Sequence, residues 1–463
     1  MRQWEKATWA AGRTEQEVIQ EVGRVLAQRL LELSQPGDAI WILAGKGHNG
    51  DDAKAAVPHL RERDVVLVNV DDPLRGLAEF SEKLKTSGAR KPRWIVDALF
   101  GIGLNRPLDE DWLKLIEAIN HCASPIFAVD VPSGLNADTG ACEGGAIQAT
   151  LTLTLGAPKR GLLEAPAFTG RLEVAAEIGL VCCPIESELN WTAAAEFAGL
   201  PPRRLASGNK GDYGHVAIIA GSLGYHGAAV LATRGAQRAQ PGLVTVFPQA
   251  SVYVPVAAQM QSAMVRPWQP EMTLPKTCRC ILFGPGLAEE DLPVTVKEML
   301  RSLWRHSPLA IVVDASGLDW LEAGRPEVEA IRAITPHPGE AARLLGIPTR
   351  EVQAGRVVAL RRLSKKYGDC WVVLKGRQTL VGRATGEIYV NSSGNPFLAQ
   401  GGSGDLLGGY IAGLLAQPAW QEEPLQTLRY AVWQHGAAAD YLARTQRNWS
   451  VEELALWLGR MPA

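Results

Sequence analysis

Short aliphatic segments that each end in a glycine-rich or acidic loop recur along the whole chain, and they limit its fold more than any other feature. Residues 39–44, 65–70 and 215–220 are examples. Strands of this kind are buried on both faces, as in parallel sheets covered by helices. Further segments of the same type are 93–100, 125–130, 243–247, 280–283, 309–313 and 370–374. Their alternation with helical segments, such as 14–33, predicts doubly wound α/β folds.

The length of the chain indicates more than one domain. Its 463 residues exceed what a single hydrophobic core usually supports. Residues 185–207 lose apolar periodicity and contain Pro201-Pro202, so we interpret them as the interdomain connection. We therefore predict two three-layer αβα domains at 1–190 and 200–463.

Composition excludes several classes of protein. A net charge of −2 does not favour nucleic acid or an anionic membrane as a partner. No apolar run approaches the roughly 20 residues that span a bilayer, and the mixed-charge start is not a signal peptide. Seven scattered cysteines do not suggest a disulfide framework, and neither 182–183 nor 278–280 has the second close pair of a zinc site. We expect a cytoplasmic protein.

Residues 401–405, Gly-Gly-Ser-Gly-Asp, run directly into the apolar helical segment 406–415. A glycine-rich turn that enters a helix presents unpaired N–H groups and the positive end of the helix dipole, which favours a phosphate. Asp405 could then accept a proton from a hydroxyl that attacks this phosphate. The alternative is a tight turn in which Asp405 only caps the helix.

A second polar turn, 335–340, holds His337 between two prolines and places Glu340 at the start of a helix. Glu340 could order the water shell of a magnesium ion that accompanies nucleotide phosphates, or simply compensate the helix dipole. His337 is a reasonable hydrogen-bond donor to substrate.

The loop 45–53 matches G-x-G-x-x-G through Gly45, Gly47 and Gly50, and Asp71 follows the next strand. This pattern leaves a nicotinamide oxidoreductase as one alternative. Asp51 and Asp52, however, would repel a pyrophosphate placed against the loop.

Two further strands end in polar loops. Asp97 lies near the end of one, and Asp130 ends the other. Because ligands of open α/β sheets bind at the carboxyl ends of strands, three such loops predict a site.

Three N-terminal motifs carry a family resemblance: the loop around Asn49 and Asp52, residues 96–103 and residues 129–135. Residues 1–190 resemble the Rossmann-like NAD(P)HX epimerase domain of bacterial bifunctional NAD(P)H-hydrate repair enzymes. The resemblance implies that Asn49, Asp97 and Ser133 supply oxygen ligands to a potassium ion, which suits a hard cation. It implies a catalytic role for Asp130, and substrate contacts by His48, Asn49, Gly50, Asp51, Asp52, Gly101, Ile102, Gly103, Leu104, Asn105, Arg106, Pro107 and Asp130.

The first motif departs from the family, which has Asn-Asn-Gly-Gly-Asp-Gly where this chain has His48–Ala53. His48 and Asp51 replace an amide and a glycine, and Ala53 would restrict the backbone of a loop. A non-catalytic scaffold domain is therefore an alternative to an active epimerase.

Residues 200–463 carry five motifs, at 221–228, 283–287, 335–340, 375–379 and 401–405. Their order resembles the ribokinase-like ADP-dependent (S)-NAD(P)H-hydrate dehydratases. The resemblance places substrate at Ala228, Gly286, His337 and Asp405. It places the adenine nucleotide at Lys375, Gly376, Arg377, Gln378, Thr379, Gly402, Ser403 and Gly404. Gln240-Pro241 and Asn209 depart from the family pattern.

The resemblance implies a homo-oligomeric repair enzyme for the small molecules NADHX and NADPHX. It would epimerise R and S hydrates and dehydrate the S form to NAD(P)H, AMP and phosphate. The cofactors would be ADP, with ATP as the alternative, Mg²⁺ and K⁺. Because Gly-Ser-Gly-Asp is common to the whole superfamily, a vitamin or sugar kinase remains an alternative.

Overall fold

The computed structural model describes residues 1–86, 91–104, 106–269, 272–288 and 292–462. The chain forms two compact units, Met1–Glu186 and Ser187–Ala463. Each unit contains one sheet with helices packed against it, which confirms the predicted pair of α/β domains.

The segment interpreted as a connection lies mostly in the second unit. Leu189–Trp191 is an edge strand of the second sheet and pairs with Ile388–Val390. An edge strand of three residues, all only half-buried, shows no apolar pattern that sequence reasoning could detect.

The N-terminal sheet is entirely parallel, with strand order β2-β1-β3-β4-β5-β6. Its strands are β1 (Ala39–Ala44), β2 (Asp64–Asn69), β3 (Trp94–Ala98), β4 (Ile126–Val129), β5 (Leu151–Leu155) and β6 (Arg171–Ala175). Its helices are α1 (Arg2–Ala10), α2 (Glu15–Glu32), α3 (His48–Ala56), α4 (Pro73–Thr86), α5 (Glu110–His121), α6 (Arg160–Glu164) and α7 (Pro166–Thr169). The strand order reverses between β1 and β3, which is where an open sheet of this type binds ligands.

Alternate residues of β1 enter two different cores. Ile40 and Ile42 pack with α2 and α3, whereas Trp41 and Leu43 pack with α4 and α5. This alternation produces the three predicted layers. Helix α2 matches the predicted helix 14–33 and begins in a capping box made by Thr14 and Glu17.

The C-terminal sheet has ten strands in the order β10-β9-β8-β11-β12-β13-β14-β15-β16-β7. They are β7 (Leu189–Trp191), β8 (His215–Ile219), β9 (Leu243–Phe247), β10 (Met264–Val265), β11 (Cys280–Phe283), β12 (Ala310–Val313), β13 (Arg332–Ile334), β14 (Trp371–Leu374), β15 (Leu380–Gly382) and β16 (Ile388–Val390). Among the described residues of this sheet, β15 alone pairs antiparallel, with both of its neighbours.

The helices of this unit lie on both faces of its sheet. They are α8 (His226–Arg238), α9 (Tyr253–Ala257), α10 (Val294–His306), α11 (Pro338–Leu345), α12 (Thr349–Ala354), α13 (Arg356–Lys366), α14 (Ser403–Leu415), α15 (Pro418–Gln421), α16 (Pro424–Thr445) and α17 (Val451–Trp457). Helices α8 and α14 pack unusually closely, because a Cβ at Gly409 would lie 1.9 Å from the carbonyl oxygen of Ala232. This contact fixes α14, whose N-terminus carries Asp405. In the described part of the chain no helix is long and apolar enough to cross a membrane.

Candidate active sites

Helix α14 begins in a backbone conformation that glycine adopts easily. Its N-cap residue, Gly402, has φ of 92°. A Cβ at Gly404 would lie 3.2 Å from Nζ of Lys375. The bare first turn of α14 therefore lies against an ammonium group and adds the positive end of a helix dipole, which is a geometry that binds phosphate.

Four charged side chains meet beside this turn: Asp314, Glu340, Lys375 and Asp405. Nζ of Lys375 lies 2.7 Å from Oδ1 of Asp314 and 3.9 Å from Oε2 of Glu340. Burial raises the pKa of Asp405 to about 6; the negative charges of Asp314 and Glu340 also raise it, and Lys375 opposes them. Asp405 is thus ionised at neutral pH and basic enough to accept a proton.

Lys375 supplies the positive charge of this cluster. Burial disfavours its ammonium form, but the carboxylates of Asp314 and Glu340 outweigh burial and raise the pKa of Lys375. Sequence reasoning assigned Lys375 to the nucleotide; it noted the turn that begins with Asp314 but gave that residue no role. Its position could have indicated a role, because Asp314 comes directly after β12, at the carboxyl end of a strand, where the other candidate site residues also lie.

The turn before α11 is rigid. Nδ1 of His337 accepts hydrogen bonds from the N–H groups of Gly339 (3.0 Å) and Glu340 (3.3 Å). The N–H of His337 donates to Oε2 of Glu340 at 2.7 Å. Because Nδ1 is an acceptor, the neutral ring carries its proton on Nε2, and the half-exposed imidazole can donate from that atom.

Ala228 and Gly286, which the resemblance assigns to substrate, lie together. Gly286 has φ of 64°, and a Cβ on it would lie 2.7 Å from Cβ of Ala228. The same Cβ would lie 2.6 Å from the carbonyl oxygen of Tyr225. Gly286 therefore admits no larger side chain, and the predicted contact of these two residues with substrate remains a prediction.

The loop 375–379 is held by Arg356, a residue that sequence reasoning missed. Its guanidinium donates to the carbonyl oxygens of Leu374 (3.1 Å) and Lys375 (3.2 Å), and also to that of Arg377. Gly376 and Gln378 both have positive φ, at 124° and 51°. Oγ1 of Thr379 donates to the carbonyl oxygen of Gly376 at 3.0 Å. Arg356 therefore stabilises a strained loop that exposes backbone groups.

Ser403 has a buried partner that was also missed. Its Oγ lies 3.3 Å from Nε2 of His435 on α16. Burial lowers the pKa of His435 to about 4, so its ring is neutral at physiological pH. This contact joins the first turn of α14 to α16.

In the N-terminal unit, the residues predicted as a loop at 45–53 are largely helical. Helix α3 begins at His48, so the expectation of a loop through Ala53 is wrong. Ala53 is buried on the helix and causes no backbone restriction there. Gly50 faces the preceding turn, where a Cβ would lie 2.1 Å from the carbonyl oxygen of Gly45. Packing against α2 stabilises this helix, although its first turn, His48-Asn-Gly-Asp-Asp, consists of residues with poor helix propensity.

Within α3, some residues of the first motif point toward the protein interior and others point toward solvent. Asn49 and Asp52 are buried. His48 is 73% exposed with Nε2 2.9 Å from Oε1 of Glu15, and Asp51 pairs with Lys54 at 3.1 Å. His48 and Asp51, two of the three departures from the family motif, therefore carry exposed side chains, whereas the third departure, Ala53, and the retained Asn49 and Asp52 are buried.

Asn49, Asp97 and Ser133 come together at the ends of their elements. Oγ of Ser133 donates to Oδ1 of Asp97 at 2.6 Å, and the N–H of Ser133 donates to Oδ2 at 2.8 Å. Nδ2 of Asn49 donates to the carbonyl oxygens of Phe100 (2.9 Å) and Val129 (3.1 Å). Oδ1 of Asn49 is buried without a hydrogen-bond partner. Burial raises the pKa of Asp97 to about 6, although its bonds to Ser133 oppose this.

Asp130 pairs with Lys159, which sequence reasoning missed. Nζ of Lys159 contacts Oδ1 of Asp130, and both side chains are less than one-tenth exposed. Lys159 comes shortly after β5, and Asp130 comes directly after the neighbouring strand β4. The sequence could therefore have indicated that both residues lie at the same edge of the sheet.

A cavity of about 1030 Å³ opens at this edge. Of the residues predicted to contact substrate, Gly50, Asp51 and Pro107 do not line it, and Asn105 lies outside the described residues. Those that do are His48, Asn49, Asp52, Gly101, Ile102, Gly103, Leu104, Arg106 and Asp130. The cavity wall thus includes the inward face of α3 and the predicted catalytic Asp130.

Two family models match the chain. Residues 15–161 match the model described as YjeF-related protein N-terminus, and residues 216–456 match the model described as NAD(P)H-hydrate dehydratase. A protein of Gloeobacter violaceus, named bifunctional NAD(P)H-hydrate repair enzyme Nnr, is 34% identical across all of this chain and 96% of its own length. A protein of the same name from Coxiella burnetii is 34% identical across 96% of this chain and 93% of its own.

Solved structures resemble the C-terminal unit. The ADP/ATP-dependent NAD(P)H-hydrate dehydratase of Bacillus subtilis, co-crystallised with ATP and Mg²⁺, has a TM-score of 0.52 and 29% identity, covering 58% of this chain and 96% of its own. A ribokinase-like superfamily protein of Enterococcus faecalis has a TM-score of 0.51 and 26% identity, covering 59% and 95%. The predicted ribokinase-like fold is confirmed.

Proposed function

Because the chain belongs to the family of bifunctional NAD(P)H-hydrate repair enzymes, we propose that it restores reduced nicotinamide nucleotides whose ring has added water. The N-terminal domain interconverts the R and S hydrates. The C-terminal domain dehydrates the S hydrate with ADP, or with ATP, and ADP yields AMP and phosphate. The observation that carries this proposal is Asp405, half-buried near Lys375 in the first turn of a helix.

The C-terminal residues suit phosphoryl transfer to the ring hydroxyl. Asp405 accepts the hydroxyl proton while the oxygen attacks the terminal phosphorus and the bond to the nucleotide breaks. The N–H groups of Gly402–Gly404 stabilise charge on the moving phosphoryl group. The phosphate then leaves with the C–O electrons, and loss of a proton from the neighbouring carbon restores the ring double bond.

The family membership favours repair over the two other activities that the sequence left open. A small-molecule kinase would share the α14 turn but would release a phosphorylated product. A nicotinamide oxidoreductase would need a pyrophosphate at the start of α3. The negative charge of Asp130, which raises the pKa of the neighbouring Asp52, also makes that position unfavourable for an anion.

Magnesium fits the C-terminal site through water. In the part of the chain that the structure covers, no three His, Cys, Asp or Glu side chains are arranged to hold a metal ion. Glu340 accepts the N–H of His337 through Oε2, and its Oε1 lies 3.4 Å from Nε2 of His337, so the carboxylate has few free positions and would contact a metal ion through an ordered water. Mg²⁺ retains several waters and binds substrate phosphates, so Glu340 would hold it indirectly. When bound, it would neutralise phosphate charge.

Potassium fits the N-terminal site directly. Oδ1 of Asn49 is a buried oxygen without a hydrogen-bond partner, and Asp97 is a fully buried carboxylate. Together with Ser133 they form an all-oxygen donor set of the kind that hard cations prefer. A cation there would offset the burial of Asp97.

We expect K⁺ to stabilise the N-terminal domain and to raise the epimerisation rate. In K⁺ buffer the unfolding temperature of this domain should rise relative to Li⁺ buffer of equal ionic strength, because binding to the folded state alone stabilises it. Asn49→Leu, which removes Oδ1 at similar volume, should lose this difference. Equal unfolding temperatures of the unmodified protein in both buffers would contradict the proposal.

The structure favours an active epimerase domain over a scaffold. Of the residues that depart from the family motif, Asp51 pairs with Lys54 and does not line the cavity, Ala53 is buried in the hydrophobic core, and His48 lines the cavity with an exposed side chain. Asn49, Asp52, Asp97, Asp130 and Ser133 are buried together at the sheet edge. A domain with only a scaffolding role would have no need for this many buried polar groups, since each is costly without a partner.

The dehydration rate should fall as pH decreases through about 6. The pKa of Asp405 is raised to about 6, so below that value the carboxyl is protonated and cannot accept the hydroxyl proton. The rate with S hydrate and saturating ADP should be level above pH 7 and decline about tenfold per unit at low pH. Asp314→Asn removes a negative charge that raises this pKa, and should move the inflection to lower pH. A level profile to pH 5 would contradict the role of Asp405.

The dehydratase assignment is tested by supplying pure S hydrate with ADP or ATP. The proposal predicts reappearance of reduced-nicotinamide absorbance with one phosphate and, from ADP, one AMP per turnover. Accumulation of a phosphorylated nucleotide without that absorbance would instead support a kinase.

We further propose a cytoplasmic homo-oligomer. All seven cysteines are free thiols, as suits a reducing compartment. The C-terminal unit exposes Leu223, Tyr225 and Val254, which a second copy could cover. Sedimentation of a monomer at micromolar concentration would contradict self-association.

A further inference from the structure

We propose that Lys159 is a positioning residue of the N-terminal site, which holds Asp130 as an ionised base while the neighbouring Asp52 acts as proton donor. This inference rests on the proposed epimerase activity and assigns its acid and base. Three features carry it: the contacts of Lys159, the conformation of Asp130 and the placement of Asp52 on the same cavity.

Lys159 has no donor left for a substrate. Its ammonium group contacts Oδ1 of Asp130 and donates to Oγ1 of Thr154 (3.0 Å) and to the carbonyl oxygen of Leu155 (2.7 Å). These three bonds use all three N–H groups. The side chain is 6% exposed, and Lys159 is not among the residues that line the cavity. It therefore acts through Asp130 and not by contact with substrate.

Asp130 is fixed in an unusual conformation. Its φ is 63°, in the left-handed region that non-glycine residues rarely adopt. Its Oδ1 also accepts hydrogen bonds from Oγ1 of Thr154 (3.1 Å) and the N–H of Leu155 (3.0 Å). All of these donors contact Oδ1, and each of them stabilises a negative charge on the carboxylate. Oδ2 is left for the cavity that Asp130 lines.

Asp52 lines the same cavity as Asp130, but the surroundings of Asp52 disfavour a negative charge on its carboxyl. In the described chain no group donates a hydrogen bond to its carboxyl, and the charges that shift its pKa most are those of Asp130, Asp51, Glu5 and Glu15, all of which raise it. Burial, followed by the charge of Asp130, raises the pKa of Asp52 to about 8. Two adjacent carboxyls in opposite protonation states are a recurrent arrangement of acid–base catalysis.

The chemistry of a hydrated nicotinamide ring suits this pair. Water adds to the carbon next to the ring nitrogen, because the nitrogen lone pair stabilises positive charge there. Asp52 donates its proton to the hydroxyl, the C–O bond breaks, and the nitrogen lone pair forms a C=N bond as water leaves. Water then attacks the other face of that carbon and gives a proton to Asp130. Proton transfer from Asp130 to Asp52 through water in the cavity restores both groups.

The test measures conversion of pure R hydrate to S hydrate by the full chain without nucleotide, with the epimers separated chromatographically. Lys159→Met should lower kcat by about 10²-fold or more and change KM by less than about threefold, as expected for lost acid–base function. Lys159→Arg keeps the charge and should recover a substantial part of the rate. Asp52→Asn, which cannot donate the proton, should lose about 10²–10⁴-fold.

A double variant at Asp130 and Lys159 distinguishes a positioning role of Lys159 from a purely structural one. In the Asp130→Asn background the base is already absent, so Lys159 has no carboxylate to position and adding Lys159→Met should change the residual rate by less than about threefold. Removing both charges also protects the fold if Lys159→Met alone unfolds. Dehydration of S hydrate with ADP serves as the internal control for an intact chain.

Two results would overturn the inference. One is a wild-type epimerisation rate in Lys159→Met. The other is an equal loss from Lys159→Met in the presence and absence of Asp130. Failure of the unmodified protein to epimerise would be a different result, since it would overturn the epimerase proposal itself.

Discussion

Replacement of Asp405 by asparagine should slow dehydration of the S hydrate by about 10²–10⁴-fold, because an amide cannot accept the hydroxyl proton. The variant should remain folded. Burial and the charges of Asp314 and Glu340 raise the pKa of Asp405, so the ionised carboxylate is disfavoured in the folded state. Asparagine removes that unfavourable charge at nearly the same volume.

The rate is measured as the return of reduced-nicotinamide absorbance from S hydrate and ADP. Epimerisation of R hydrate without nucleotide is the matched control, since it uses the other domain of the same polypeptide and should be unchanged. A wild-type dehydration rate in Asp405→Asn would remove the basis for the C-terminal assignment.

Replacement of Lys375 by methionine should abolish dehydration and lower the free energy of unfolding of the C-terminal domain by about 3–5 kcal/mol. Its ammonium is the positive charge among Asp314, Glu340 and Asp405, and its side chain is only 17% exposed. Without it, buried carboxylates repel one another. Denaturant unfolding, followed with the N-terminal domain as an internal reference, measures this loss.

The matched control for this prediction is Lys375→Met combined with Asp314→Asn. Removing the closest carboxylate, 2.7 Å away in the unmodified protein, should recover part of the lost stability. It should not recover activity, because no cation then faces the first turn of α14. A single Lys375→Met variant as stable as the unmodified protein would show that the ion cluster does not stabilise the fold.

The sequence predicted those parts of the sites in which the contributing residues are adjacent in the chain. The turn at 401–405 and the helix after it are adjacent in sequence, so glycine content and apolar periodicity identify both. The short aliphatic strands likewise predicted two largely parallel sheets, because burial on both faces leaves a direct compositional pattern.

The helical start at His48 could not be predicted in the same way. Its sequence is rich in glycine and aspartate, which favours a loop. The helix forms because Ala53 and Ala56 are buried against α2, and because Gly23 of α2 admits Ala55 at very close range. These contacts join distant segments, so local propensity gives the wrong answer.

The residues that were missed also depend on distant partners. Lys159 meets Asp130, and Lys375 meets Asp314, only because parallel strands carry their ends to one edge of a sheet. Arg356 contacts a loop that begins 19 residues later through backbone carbonyls alone, which leave no sequence pattern. The chemical identity of each pair was visible in the sequence, but the pairing was not.

The central claim is that one chain repairs both epimers with two separate sites. Its most direct test supplies pure R hydrate to the full chain with ADP and follows reduced-nicotinamide absorbance to completion. We predict full recovery by the unmodified protein, none without nucleotide, and for Asp130→Asn recovery from S hydrate only. Failure of the unmodified protein to recover reduced nicotinamide from R hydrate, or recovery without any nucleotide, would contradict the account.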